Sequence, residues 1–306
     1  MGSPTIYIIG AGAIGKALAV FLKNQGKDVV LVRATSDDPS HEENLTVTLN
    51  DNRSVQGFVT DIGLPGLEKL DGIVVLTNKS FANEVIADRI MNKVGNSPIV
   101  IMQNGLNVEE PFIVHGFATI FRSVLFSTSQ TISSDTVRFK PVAVSPIGVI
   151  KGNSAALKSV ASLLDSPNFR FDAVDNILPV IWKKTIANCV FNSICPLLDI
   201  DNGLFARNEI AMSVAERITN ECISVAREVG VSLDVHEVLE MVRLISKSSE
   251  GQLISTLQDI KEGRQTEIDS LNFTIARIAK DLGKEHLTVE TKLLGELTKL
   301  KADLHR

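Results

Sequence analysis

The sequence predicts an α/β fold, with an N-terminal Rossmann-type doubly wound domain over residues 1–175 and an all-α C-terminal domain over residues 176–306. Three observations carry that prediction. A β-branched run at 5–9 leads into Gly10-Ala11-Gly12-Ala13-Ile14-Gly15, then a helical pattern and a second apolar run. All of this fits within about 30 residues, the size of one βαβ unit. Apolar runs and helical patterns keep alternating to about residue 102, as in a parallel sheet with helices on its faces. Beyond Asp175 the strand signals stop and a 3.6-residue period takes over.

In chain order, a strand is expected at 5–9. A helix at 16–24 follows, with Ala17, Leu18 and Phe21 on one face and Gly26 as its stop. A second strand is expected at 28–32, and further strands at 45–49, 72–77 and 98–102, with a helix at 80–94 before the last. The stretch 119–150 is strand-rich and irregular. Within it, 128–134 reads as a Ser/Thr-rich loop, and 142–144 and 147–150 as extended. Helices are expected at 179–198, 209–229, 236–248 and 266–282. The final stretch, 294–306, reads as a charged helix with a solvated face.

Bulk composition excludes several classes. At 44% apolar and 22% charged the chain is ordinary globular protein, and a net charge of −5 argues against a nucleic-acid binder. Three cysteines, Cys189, Cys195 and Cys222, are too few and too clustered for a disulfide framework, so they are expected as buried free thiols. No apolar run reaches the length of a membrane span, and no basic and apolar leader precedes the first strand. The expectation is a cytoplasmic protein with a small-molecule partner and neither membrane nor nucleic acid. Nothing in the residues fixes the assembly, and a homodimer stays open.

The glycine turn fits G-x-G-x-x-G in the context that gives the pattern meaning, directly behind a strand and opening a helix. Such a turn lets backbone N–H groups and a helix N-terminus approach a pyrophosphate. At the tip of the second strand stands Leu31-Val32-Arg33, with no acid to accept bonds from ribose hydroxyls. An arginine there can pair with a 2′-phosphate, which favours NADPH over NADH. An ordinary surface arginine is the competing reading.

In the helix 180–192, Lys184, Asn188 and Asn192 recur every four residues among Ile, Val, Cys and Phe. That spacing puts them on one stripe. Asparagine is a poor helix-interior residue, and a buried amide without partners costs about 1–3 kcal/mol. A lysine heading the stripe can protonate a carbonyl oxygen as hydride arrives. Taken alone, the stripe is equally a solvated helix edge. Lys183 shares its face with Ala187 and Phe191 and is the weaker candidate. Glu267 can orient the lysine or bond a substrate hydroxyl, or it is simply a first-turn helix acid beside Thr266. Ser255 can bond a carboxylate. Asn104, in Gln103-Asn104-Gly105, and Lys79, in Thr77-Asn78-Lys79, follow apolar strands at the edge where such sheets bind ligands. Plain turns explain them as well.

These motifs, with Asn202-Gly203, Ser255-Thr-Leu-Gln-Asp259 and Thr266-Glu-Ile-Asp269, resemble the ketopantoate reductase (2-dehydropantoate 2-reductase) family over almost the whole chain. The resemblance implies reduction of 2-dehydropantoate to D-pantoate with NADPH, a step toward pantothenate and coenzyme A. It implies Lys184 as general acid, assisted by Glu267, which also contacts substrate. Asn104, Asn188, Asn192, Asn202 and Ser255 would line the substrate pocket. Gly10 to Gly15, Arg33, Lys79 and Asn104 would hold NADPH or NADP+. No metal is implied, and five scattered histidines without ligand spacing agree. The chain departs from the pattern at Ser193, where many members have proline, at Gln252, where asparagine is common, and over 122–140. A reductase of another branched 2-oxo acid and a non-catalytic NADPH-sensing module are the competing readings.

Overall fold

A computed structural model describes residues 3–34 and 39–305. The chain forms two compact units, one of Met1–Gln103 with Val108–Ile177, the other of Asn104–Asn107 with Leu178–Arg306.

The first unit is built on β1 (Thr5–Ile9), α1 (Ala13–Lys23), β2 (Val29–Arg33), β3 (His41–Leu49), β4 (Ser54–Gly63), β5 (Gly72–Leu76), α2 (Asn83–Val94), β6 (Ile99–Ile101), α3 (Glu110–Val114) and β7 (Ile120–Ser123). It continues through β8 (Ser127–Thr131), β9 (Thr136–Pro141), β10 (Ser145–Lys151), α4 (Leu157–Leu164) and β11 (Phe171–Ala173). Among the described residues eleven strands join one sheet in the order β11-β10-β7-β6-β5-β1-β2-β4-β3-β9-β8. From β7 to β4 every neighbouring pair is parallel. Antiparallel pairs, β10 with β7, β3 with β4 and β8 with β9, extend the sheet at both ends.

Alternation along the central strands explains why helices cover both faces. Ile6, Ile8, Ile73 and Val75 pack with α1 and α4, whereas Ile9, Val74, Leu76, Ile99 and Ile101 pack with α2 and α3. Successive strand residues point to opposite faces, so near-continuous apolar runs demand cover on each side. On the first face Phe21, Phe139, Phe169 and Phe171 pack in sequence, edge-on or tilted, with centroids 4.6–5.2 Å apart.

Two expectations in the irregular stretch are corrected. Of the Ser/Thr-rich segment expected as a loop at 128–134, residues 128–131 belong to β8, an edge strand whose backbone pairs with β9, and only 132–134 lie outside a strand. Residues 142–144, expected as extended, turn instead. Proline 141 ends β9, and the amides of Val142 and Ala143 both donate to the Phe126 carbonyl, closing a tight corner rather than a ladder.

The second unit is helical: α5 (Leu178–Leu197), α6 (Leu204–Arg207), α7 (Glu209–Glu228), α8 (Val235–Ser248), α9 (Ser255–Lys261), α10 (Asn272–Asp281) and α11 (Val289–Leu304). The long helix expected at 266–282 is broken. A single 3-10 turn, Ile268–Ser270, precedes Leu271, whose φ of −108° and ψ of −102° are not helical, and α10 starts after it. The three cysteines are free and buried, as expected, and burial pushes the Cys195 thiol up to about 12. Among the described residues no helix is long and apolar enough to cross a membrane.

Candidate active site

In the first unit the glycine turn follows β1 and opens α1. Gly10 has φ +123°, a conformation that disfavours any Cβ, and a Cβ there would lie 2.5 Å from the Asn78 nitrogen. A Cβ on Gly15 would lie 2.0 Å from the Gly10 carbonyl oxygen, so helix and turn approach too closely for any side chain. Thr77, just past β5, donates its hydroxyl to that same oxygen at 2.9 Å and fixes the turn. Gly12 differs from both. Its φ is −81°, it is exposed, and nothing lies within 4 Å of where its Cβ would be. No side chain caps the first turn of α1. Open space in front of an uncapped helix N-terminus is where a pyrophosphate is bound in folds of this kind. The residues fit a dinucleotide.

Arg33 stands at the end of β2, as expected, but the structure gives it a partner that its local sequence does not announce. Its Nε lies 2.5 Å from Oδ1 of Asp61, a carboxylate only 3% exposed on the adjacent parallel strand β4. His41 and Glu43 on β3 each bring a ligand-type atom within 4.8 Å of Asp61 and of one another. Asp61 is the residue of this region that local sequence reasoning missed.

Behind β5 and β6 lies a buried amide network. Asn83 and Gln103 exchange two hydrogen bonds, at 2.6 and 2.7 Å, and Gln103 donates a third to the Asn78 carbonyl at 2.8 Å. Asn83 also donates to the Val108 carbonyl at 2.7 Å. Arg122, buried on β7, donates to the Gln103 carbonyl at 3.1 Å and forms an ion pair with Glu109. Gln103 and Asn83 thus tie down the loop that carries Lys79, which is half-buried. The Asn78 Oδ1 atom is buried without a hydrogen-bond partner.

In the second unit α5 presents the polar stripe. Lys184 and Asn188 are half-buried and Asn192 is 3% exposed. The neighbouring Lys183 forms an ion pair with Glu237 on α8. Asn192 is tied to the start of α9. Its Oδ1 accepts from the Thr256 hydroxyl at 2.8 Å, the Thr256 amide at 3.3 Å and the Ser255 hydroxyl at 3.3 Å. With the oxygen so engaged, Asn192 offers its NH2 as a donor. Among the described residues the Asn188 side chain makes no hydrogen bond, which leaves a second amide available to a ligand.

Glu267 is only 8% exposed and precedes the 3-10 turn. It is therefore not the first-turn acid of a long helix, and its hydrogen bonds from Ser270 go to its backbone carbonyl. A carboxylate rarely lies so deep without a function or a partner. Asn104 is half-buried and belongs with the second unit, where the neighbouring Leu106 amide donates to the Ser270 carbonyl at 3.1 Å. Asn202 works through its backbone, which receives the Ser246 hydroxyl at 2.6 Å and donates to the Gln252 carbonyl at 2.9 Å. Its side-chain oxygen is buried without a partner. Gln252 contributes only backbone to this contact. Ser193, fully buried, donates to the Cys189 carbonyl one turn back at 2.5 Å.

A strand–glycine turn–helix unit on a doubly wound sheet, joined to a helical unit with a lysine–asparagine stripe, defines a class: the Rossmann-fold oxidoreductases. Two family models match, ketopantoate reductase PanE/ApbA over residues 6–141 and its C-terminal counterpart over 176–300. The chain belongs to the ketopantoate reductase family. It is 28% identical over 282 residues to a 2-dehydropantoate 2-reductase of Pyrococcus abyssi, covering 92% of each chain. Among solved structures it is similar in fold to D-mandelate dehydrogenase with NADH and anilino(oxo)acetate, with a TM-score of 0.86, 23% identity and 98% and 99% of the two chains covered. A ketopantoate reductase family member from Ralstonia eutropha gives a TM-score of 0.85 at 22% identity, with the same coverage.

Proposed function

We propose that the chain reduces the keto group of a small 2-oxo acid with NADPH, that the substrate is 2-dehydropantoate, and that the product is D-pantoate on the way to pantothenate and coenzyme A. Residues 1–175 hold the dinucleotide in this reading, and 176–306 supply the proton and grip the substrate. The observation that carries it is the α5 stripe. There Lys184 heads a row of two amides, one of them held through its oxygen by the start of α9.

The chemistry assigns each group a task. Bound dinucleotide supplies the hydride. As the keto oxygen gains charge, Lys184 gives it a proton from Nζ, and the lysine later regains one from solvent. The NH2 groups of Asn188 and Asn192 donate to the substrate carboxylate, and the Ser255 hydroxyl turns from the Asn192 oxygen, which Thr256 still holds, to donate to it as well. Glu267 accepts from the substrate's terminal hydroxyl and orients the lysine. Asn202 closes the substrate side, and Lys79 and Asn104 serve the nicotinamide end. In the first unit, the backbone of Gly10, Ala11, Gly12, Ala13, Ile14 and Gly15 holds the pyrophosphate, and Arg33 takes the 2′-phosphate.

Consumption of NADPH, followed by absorbance with 2-dehydropantoate, 2-oxoisovalerate and oxaloacetate, tests the reading. A buried acceptor left unpaired penalises an analogue that lacks the hydroxyl, so kcat/KM for 2-dehydropantoate should exceed that for 2-oxoisovalerate roughly 100-fold or more. Equal values would remove Glu267 as the reader of that hydroxyl. No turnover of any of the three would sink the proposal.

A further inference from the structure

Two loops of the helical unit, far apart in sequence, are tied at one carboxylate. The first, 198–203, joins α5 to α6, and the second, 249–254, joins α8 to α9. Asp201 on the first loop makes the tie. Its Oδ1 accepts from the Gly203 amide at 3.0 Å and from Nη2 of Arg207 at 2.6 Å, and its Oδ2 accepts from the Gly251 amide at 2.9 Å. Arg207 reaches on to Glu250 at 3.2 Å. Beside this knot the Asn202 amide donates to the Gln252 carbonyl at 2.9 Å, and the Ser246 hydroxyl donates to the Asn202 carbonyl at 2.6 Å.

A local role covers only part of this arrangement. Bonding an amide two residues on is how an aspartate closes a turn, and Gly203 opens α6. The bond to Gly251 spans 50 residues and serves no helix start, since α9 begins only at Ser255. The knot is also closely packed: a Cβ on Gly203 would lie 2.7 Å from Nη1 of Arg207 and 2.9 Å from Cγ of Glu250. Hydrogen bonding to Arg207 holds the Asp201 carboxyl below the usual carboxylate range, so at neutral pH it is ionised and both oxygens accept.

We propose that Asp201 is a positioning residue for the substrate, which sets loop 249–254, and through it the start of α9, against α5. This role rests on the reading of the α5 stripe given above. From Gly251 the chain has only Gln252, Leu253 and Ile254 to run before Ser255. Two of the three are themselves held, Gln252 by Asn202 and the Leu253 carbonyl by the Gln258 side chain at 2.7 Å. So short and tied a segment passes a shift at Gly251 on to α9. There Thr256 holds the Asn192 oxygen, and Ser255 carries the hydroxyl assigned to the substrate carboxylate. The knot also fixes the backbone of Asn202, whose buried side-chain oxygen has no hydrogen-bond partner. Lys184 stands about two helical turns from Asn192 on α5, so the knot bears on the grip and not on the proton.

Two variants of the full chain test the role. Asp201→Asn keeps the side chain's shape but turns one acceptor into an NH2 that faces an N–H, whichever way the amide lies. Asp201→Ser keeps an acceptor for the nearby Gly203 amide and drops the long bond, so the local turn survives. Steady-state kinetics, a fluorescence titration of NADPH and a thermal melt are read on each. Both variants should raise KM for the 2-oxo acid turned over best about tenfold, roughly one hydrogen bond's worth. The kcat should stay within about twofold and NADPH affinity should not change, the pattern of lost substrate grip. A purely structural knot would lower the melting temperature and leave KM untouched well below the melt, and that result overturns the proposal. The route is read by a double-mutant cycle with Ser255→Ala. In that background Asp201→Asn should raise KM only about threefold, because coupled residues are not additive. A full tenfold rise there overturns action through α9. A wild type that turns over no 2-oxo acid ends the α5 reading and this role together, whereas wild-type turnover with KM unmoved in both variants ends the role of Asp201 alone.

Discussion

In the sheet unit the groups assigned to a ligand are mostly backbone, the turn from Gly10 to Gly15 and the start of α1, and the side chains around them serve to hold that backbone. Thr77 bonds the Gly10 carbonyl, and Gln103 and Asn83 lock the loop after β5. In the helical unit the reverse holds: the groups proposed to act are side chains spaced along one helix, α5. A backbone site is therefore damaged by adding atoms, a side-chain site by removing them. That contrast can be broken or sharpened by substitution.

The largest effect is expected on α5. Lys184→Ala should lower kcat by about 10²–10⁴ with NADPH affinity unchanged, the range for loss of a general acid. The control is its neighbour. Lys183→Ala gives up only a surface ion pair with Glu237, worth about 0–1 kcal/mol, and should leave kcat intact. Steady-state kinetics with a fluorescence titration of NADPH separates the two. An unchanged kcat in Lys184→Ala would end its assignment as the acid.

Next come the glycines, where structure and binding should part company. Gly12→Val places its side chain in open space at an ordinary φ of −81°, so the fold should survive. The added atoms fill the approach to the helix N-terminus, and NADPH affinity should fall roughly 10- to 100-fold through lost phosphate contacts. Gly15→Ala instead drives a Cβ to within 2.0 Å of the Gly10 carbonyl oxygen. It should destabilise the whole unit by about 1–3 kcal/mol or more, as overpacking does. Thermal melts and titrations of both variants decide. If both lose affinity at unchanged stability, the division of labour among the three glycines is wrong.

The same contrast explains what could be read in the sequence. The βαβ unit is contiguous, so its turn, helix and strands are legible from 5 to 33. The α5 stripe is legible because all three polar residues lie on one element. β4 escaped because Ser54, Gln56, Thr60 and Asp61 interrupt its apolar positions at the outer part of the sheet. The break at Leu271 escaped because neither Ser270 nor Leu271 is a helix breaker, so tertiary packing overrides local preference there. In the charged stretch 294–306, whose last residue lies outside the described ones, Glu296, Lys299 and Asp303 are exposed, but Lys301 turns in to the Pro196 carbonyl and Asp199, and the charges masked the leucines among them. Asp61 was invisible for a topological reason. It lies 28 residues beyond Arg33 and meets it only because β2 and β4 pair in parallel.

That pair carries the smallest effect and the sharpest test of the sheet unit. Arg33 is assigned to the 2′-phosphate, yet a buried carboxylate already holds its Nε at 2.5 Å. Asp61 can help by aiming the guanidinium or hinder by repelling the phosphate. Like charges about 6 Å apart repel by about 2–3 kcal/mol at an effective dielectric of 20, and Arg33 is partly solvated, so about 1 kcal/mol is a fair net figure. Loss of aim costs less, since Asn retains one hydrogen-bonding oxygen of the same shape. Repulsion should win. Asp61→Asn is expected to lower KM for NADPH about fivefold, the equivalent of that 1 kcal/mol, and to leave KM for NADH nearly unchanged. Arg33→Ala should raise KM for NADPH far more than for NADH. If Asp61→Asn instead weakens NADPH, the carboxylate serves to orient the arginine, and the sheet unit, like α5, depends on a held side chain.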